Sequence, residues 1–389
     1  MRSPSSPEII FNCATNVIGG AVQNAVHFIR GVINFEGFGL NWYFILSPQV
    51  YAQVKQLLPP HKFIVLNESP AFSLRARRLL GSIVQDIKPQ LVYSSAGPAY
   101  VKFSVPHVMG CSNPYILGAS DYAYELYGGF LSQLKIRLRT KYQTYKIKQA
   151  DAWITQTESS ANNLKRILGN NSDIYIVYNS ISPEFLNYLN DYSHQEKSKI
   201  NSITRILVPT AYYQHKDLER IPQAIARLRE KYGVEVKITL TINDKEAYKK
   251  TLAIAKDLNI DSSFQNIGGY EHKDSLKIYT EHDVVLQPSV LEVFSTSYIE
   301  AMSALKPLIV PSFDFSKSIC ADYAHYYDCL SIDSYAAAIY AAIVDTSVEE
   351  RHEKSIAIVS KYGSQDKRVA KIVEILKKHI IRGVDCVQK

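Results

Sequence analysis

Between Pro288 and Met302 the chain carries two carboxylates, Glu292 and Glu300, with seven residues between them. The segment follows a buried-type apolar run and leads into a helical pattern. One acid is therefore expected on a loop and the other on the first turn of a helix, at the carboxyl end of a strand. Ligands of open parallel sheets bind at that end, where helix amino termini also converge. A carboxylate there can accept two hydroxyl hydrogen bonds from a ribose, and the loop acid can reach a second sugar. The same residues also have a purely structural reading. Ser297 followed three residues later by Glu300 spells a capping box, which satisfies backbone amides and needs no ligand.

The elements that must position these acids can be read from periodicity. Apolar runs of strand length alternate with segments of helical period, the pattern of parallel α/β units. Strands are expected at Ile9 to Ala14, Trp42 to Leu46, Phe63 to Leu66, Leu91 to Tyr93, Val108 to Met109, Trp153 to Thr155 and Ile174 to Val177. They assemble a first domain over residues 1–186. A polar stretch at 187–204 reads as a linker. The second domain, 205–366, opens with a strand at Arg205 to Val208 and a helix from about Asp217 to Lys231, whose Leu218, Ile221, Ile225 and Leu228 share one face. Further strands are expected from Val236 to Ile242, where apolar and polar residues alternate, at Val284 to Gln287 and at Leu308 to Val310. Residues 367–389 form a terminal helix that can cross back onto the first domain. The fold class is therefore α/β, with two domains of the usual size in 389 residues.

Composition narrows the partners. No apolar run approaches the ~18 residues of a membrane span, and Met1 to Glu8 lacks the apolar core of a signal peptide, so a cytoplasmic location is expected. The five cysteines are scattered without metal or redox spacing, and buried thiols are the expectation. Residues 1–195 carry 17 Lys/Arg against 11 Asp/Glu, whereas residues 196–389 carry 27 against 26, so the first half holds nearly all of the net charge of +7. Much of it lies between Leu131 and Lys148, where no acid occurs. There Leu131, Leu134, Leu138, Tyr142 and Tyr145 fall on one helical face. Such a helix can pack its stripe on its own domain or rest on an anionic membrane. A nucleic-acid partner is not expected, since no basic-aromatic module is visible.

The segment around Glu292 and Glu300 resembles the E-x7-E motif of the family 4 retaining glycosyltransferases. The resemblance continues through Glu300-Ala301-Met302, Lys306 to Val310 and Phe315 to Cys320. Ile206 to Leu218 resembles that family's opening strand, loop and helix of the donor domain. Asp151 to Thr155 and Val177 to Ser180 resemble its segments near the end of the acceptor domain. The resemblance implies the GT-B fold, two facing Rossmann-like domains with a cleft between them. It implies no cofactor, a nucleoside-diphosphate sugar (GDP-, UDP- or dTDP-linked) as donor, and a glycan or lipid-linked glycan as acceptor. By the same resemblance Glu300 binds the nucleotide ribose, Glu292 the transferred sugar, and Lys216 the donor diphosphate, with Phe294, Ser295 and Thr296 lining the donor. Gly269 and Tyr270 fall where the base-contacting loop lies, and Asn16, Gly19 and Gly20 resemble the family's glycine loop. A lysine at a helix start can, with the free amides there, stabilise a departing diphosphate.

Three departures stand out. The arginine expected five residues before Lys216 is Ala211, leaving Arg220 as a further cation for the diphosphate. The acceptor-domain histidine falls near Ser112 or Asn113, neither of which is a general base, and His107 reads as structural. The glycine expected after Phe294 is Ser295, so the loop has no residue there free to take positive φ. These departures keep alternatives open: a non-catalytic GT-B protein that binds a sugar nucleotide or glycan, or a GT-B sugar-nucleotide epimerase. No Asp-x-Asp motif is present, in keeping with the metal independence the resemblance implies.

Overall fold

The computed structural model describes residues 8–191 and 203–387, with side chains to residue 381. Two compact units emerge. The first comprises residues 1–118, 134–179 and 363–389, and the second 119–133 and 180–362.

The first unit holds seven parallel strands: β1 (Glu8–Cys13), β2 (Asn41–Leu46), β3 (Phe63–Val65), β4 (Leu91–Ser94), β5 (His107–Gly110), β6 (Ala152–Thr155) and β7 (Asp173–Ile176). Their order across the sheet is β3-β2-β1-β4-β5-β6-β7, so the winding reverses between β1 and β4. These strands are short and nearly continuous in apolar residues because helices cover both faces of a parallel sheet. Phe11 on β1 stacks on Phe28 of helix Gly19–Asn34 with ring centroids 4.6 Å apart. The terminal helix Gln365–Val387 adds Val369, Ile372, Val373 and Leu376 to that same core. It packs so closely on the Gly19–Asn34 helix that a Cβ on Gly31 would lie 2.8 Å from a Val369 methyl.

The second unit holds β8 (Thr204–Val208), β9 (Val236–Leu240), β10 (Phe264–Asn266), β11 (Val284–Leu286), β12 (Leu308–Pro311) and β13 (His325–Tyr327), again all parallel. The order is β10-β9-β8-β11-β12-β13, with its reversal between β8 and β11. The two-domain parallel α/β class expected from periodicity is what the chain forms.

Several boundaries differ from expectation. Residues 180–186 group with the second unit, because helix Pro183–Asn190 packs there: Phe185 meets Tyr279 edge-on at 5.4 Å, and the His352 ring bonds the Leu189 carbonyl at 3.1 Å. That helix also occupies the start of the expected linker, whose residues 192–202 lie outside the described residues, as do 1–7 of the polar amino terminus. Residues 119–133 join the second unit as well, tied in by helix Asp121–Glu125. The helix expected from Asp217 begins at Ile221, where Pro222 suits a first turn and Asp217 itself sits at φ 47. Edge strands β10 and β13 were not expected from the sequence.

Candidate functional site

The switch point of a doubly wound sheet leaves a crevice where the loops of the two central strands diverge. In the second unit those loops follow β8 and β11. The first runs through Tyr213, His215 and Lys216 and ends in a 3-10 turn, Gln214–Lys216. The second runs from Gln287 to Ser295. They are pinned together by the Val290 amide donating to the His215 carbonyl at 2.9 Å. Gln287 Nε2 adds a bond to Ser297 Oγ at 3.1 Å and reaches the Pro209 carbonyl at 3.4 Å.

At this crossing Lys216 donates from Nζ to Glu292 Oε1 in a short charge-assisted contact. Lys216 is 8% exposed, unusual for a lysine unless it is paired. His215 stacks on Tyr213 with centroids 5.5 Å apart, and burial lowers its pKa to about 4, keeping the ring neutral beside the ion pair. The structure thus brings together two of the expected site residues whose sequence positions are 76 apart.

Glu300 lies on helix Thr296–Ser303, in its second turn rather than the first. The capping box is not formed: Ser295 takes the N-cap position without a side-chain capping bond, Ser297 is already inside the helix, and Glu300 Oε2 accepts from Tyr279 Oη at 2.8 Å. Burial pushes the Glu300 carboxyl above the usual carboxylate range, partly offset by the Tyr279 hydroxyl. Tyr270, whose phenol burial raises to about 12, stands near the same carboxylate. Its neighbour Gly269 donates its amide to Asn243 Oδ1 at 2.7 Å, and a Cβ there would come within 2.5 Å of the Asn243 side-chain amide, so a larger residue at 269 would displace that side chain. Ser295 is extended at φ −113, ψ 119, so the loop needs no glycine at that position. Phe294 leans on Tyr362 at 5.4 Å, and Thr296 is exposed on the first turn.

Arg220 lies beside Asp217 and Tyr122. Its Nε lies 4.0 Å from Asp217 Oδ2, and its guanidinium sits 5.9 Å over the Tyr122 ring. Tyr122 Oη donates to Asp217 Oδ2 at 2.7 Å. Asp217, Tyr122, His215 and Tyr279 were all missed from sequence. Asp217 is adjacent to Lys216 and was legible as a neighbour, whereas Tyr122 is 95 residues away and only the topology brings it in.

In the first unit the loop after β1 meets the loop after β4, its own switch point. Asn16 is buried and donates to Ser95 Oγ at 2.9 Å and to the Ala21 carbonyl at 2.8 Å. Gly19 and Gly20 do not form a separate loop but open helix Gly19–Asn34, with Gly19 at φ 57 and open space above Gly20. Asn113 bonds Gln143 at 3.1 Å and caps its own turn through the Tyr115 amide at 3.0 Å, with Ser112 half-buried beside it. His107 opens β5 rather than preceding it. It is 1% exposed, bonds Ser94 Oγ at 2.9 Å, and burial lowers its pKa to about 3, all as expected of a structural histidine. The described cysteines, Cys13, Cys111, Cys320 and Cys329, are buried and free.

Residues 193–359 match the family Glycosyl transferases group 1. No curated protein matches the sequence significantly. Solved structures share the fold along nearly the whole chain. A glycosyltransferase from Rickettsia africae is 13% identical with a TM-score of 0.67, covering 97% of this chain and 99% of its own. Anabaena HepE in complex with UDP and glucose is 15% identical with a TM-score of 0.65, covering 96% and 100%. The sucrose-phosphate synthase of Thermosynechococcus elongatus is 12% identical with a TM-score of 0.67, covering 96% and 98%. The fold is thus that of the GT-B glycosyltransferases, and residues 193–359 carry a domain of the group 1 type.

Proposed function

We propose that the protein is a retaining glycosyltransferase of the family 4 type. It moves a hexose from a nucleoside-diphosphate sugar to a growing polysaccharide or oligosaccharide carried on a lipid, at the cytoplasmic face of the membrane. The observation that carries this reading is the meeting of Lys216 with Glu292 at the switch point of the second sheet, with Glu300 on the helix that leaves the same loop. Among the similar folds, HepE was solved with UDP and glucose, which favours a UDP-sugar over the GDP- and dTDP-linked alternatives.

In this mechanism the donor diphosphate draws Lys216 away from Glu292 and takes its positive charge. Glu292, freed of its partner, orients the sugar and offsets charge at the anomeric carbon. Glu300 receives the ribose hydroxyls. The acceptor hydroxyl oxygen bonds the anomeric carbon as the bond from that carbon to the diphosphate oxygen breaks. Attack comes from the leaving-group side, and the acceptor proton passes to a diphosphate oxygen. No carboxylate need bond the sugar, and the charge developing on the diphosphate falls to Lys216 rather than to a metal. Asn16, Gly19 and Gly20 serve the acceptor side in the first unit.

The test is thermal shift with UDP-, GDP- and dTDP-sugars, followed by donor turnover in wild type and Glu292→Ala. Stabilisation by one nucleotide class, with turnover that falls by about 10²-fold or more in the variant, supports the reading. No stabilisation by any donor would sink it. Ala211 in place of an arginine, and Ser112 and Asn113 in place of a histidine, favour a second reading as a sugar-nucleotide-binding subunit without turnover. In that case donors stabilise the protein and no product forms in either protein. An epimerase would instead release an altered sugar with no acceptor present.

A further inference from the structure

The helix Phe130–Ile147 is docked the opposite way from an ordinary amphipathic surface helix. Its buried residues are Thr140, Gln143 and Ile147. Gln143 donates to Tyr100 Oη at 2.9 Å and accepts from Asn113 at 3.1 Å, while the Ile147 carbonyl takes the Trp153 indole at 3.0 Å. At 100° per residue this face points away from the stripe of Leu134, Leu138, Tyr142 and Tyr145. The stripe faces outward: Leu138 is 57% exposed, Tyr145 62%, and Leu131 further along the same helix 79%.

Five cations of the helix, Lys135, Arg137, Arg139, Lys141 and Lys146, fall on the two flanks of that stripe, Lys148 follows its last turn, and no acid occurs from residue 126 to 150. The patch extends beyond the helix. Arg139 sits 5.5 Å over the ring of Phe72, itself 75% exposed, and Arg77 donates to Tyr142 Oη at 2.7 Å. A long helix with leucines and tyrosines on its outer crest and cations along both edges matches the layering of a lipid surface. Acyl boundary meets the crest, and anionic headgroups meet the flanks. A nucleic acid has no use for the leucines, and a protein groove offers no reason for the uniform charge.

We propose that the outer face of helix Phe130–Ile147, with Phe72, docks the protein on an anionic bilayer. This inference deepens the lipid-linked acceptor reading, but it is measured without any sugar nucleotide, so its failure and the failure of the donor site are separable.

The experiment is co-sedimentation of the full chain with vesicles of phosphatidylcholine alone or with 30% phosphatidylglycerol. The comparison set is wild type, Leu138→Glu, and a Lys135→Ala/Arg139→Ala double variant. All the altered side chains are exposed or flanking, and unchanged melting temperatures establish that the variants fold. The expected result is binding to the anionic vesicles that drops about tenfold or more in each variant and weakens with salt. Wild type that fails to sediment with anionic vesicles at low salt overturns the proposal, and so does Leu138→Glu binding as wild type does. If wild type self-associates in solution and Leu138→Glu abolishes this without vesicle binding, the face joins two copies of the chain and the membrane assignment is wrong.

Discussion

Lys216 and Glu292 hold opposite charges in a crevice that leaves the lysine almost no solvent, so neither can be removed without stranding the other. Lys216→Met is expected to raise the donor KM and lower kcat, while Glu292→Gln spares donor binding and lowers kcat. Steady-state kinetics with separate donor titrations check this split. Glu300→Gln should weaken binding of ribonucleotides specifically, read as a loss of thermal shift by UDP relative to inorganic diphosphate. Asp217 supplies a pH prediction. Burial raises its carboxyl from 3.8 to about 6, despite the Tyr122 hydroxyl and the nearby Arg220. The folded protein therefore prefers the protonated form, and that contribution is fully present below the ordinary value and lost as pH rises through about 6. Asp217→Asn, which keeps the bond to Tyr122 and tolerates the left-handed backbone, should match wild type near pH 4. It should be more stable above pH 7, by up to about 3 kcal/mol. Denaturant melts across that range would show it, and a constant difference at all pH values would refute it.

At the scale of elements, the central strands were legible in the sequence because a parallel sheet covered on both faces leaves its strands as plain apolar runs. The edge strands Phe264–Asn266 and His325–Tyr327 are three residues long and contain no aliphatic residue, so periodicity has little to grip there. The start of the helix after Lys216 was misplaced for a related reason. Leu218 keeps the apolar spacing of Ile221, Ile225 and Leu228, but the left-handed Asp217 and the proline at 222 break the geometry that the spacing suggests. The pair of acids was legible as a motif, while the Tyr279 bond that replaces the capping box needed the fold. Which side of helix Phe130–Ile147 faces solvent was not legible at all, since a period gives a face without saying what covers it. One element contact is open to direct test. Gly31→Leu drives a side chain into Val369 and should cost roughly 1–3 kcal/mol in chemical denaturation. A Val369→Ala background should recover part of that loss.

At the scale of the whole molecule, the sequence does not lay out its two units one after the other. Residues 119–133 leave the first for the second, residues 134–179 return, and residues 363–389 return again after the second unit is finished. The group 1 match over residues 193–359 stops just before that last return. A fragment ending at residue 191 should therefore lack a cooperative unfolding transition, because the core around Phe11 and Phe28 misses Val369, Ile372 and Leu376. Circular dichroism melts of the fragment against the full chain would reveal this.

The terminal helix Gln365–Val387 has a consequence for synthesis on the ribosome. Domains usually fold in the order in which they emerge. Here the amino-terminal sheet waits for its last apolar layer until some 180 further residues have been translated. Through that interval the surface beside β1 and the Gly19–Asn34 helix is open to chaperones or to neighbouring nascent chains. A stop codon late in the reading frame would therefore injure the start of the protein.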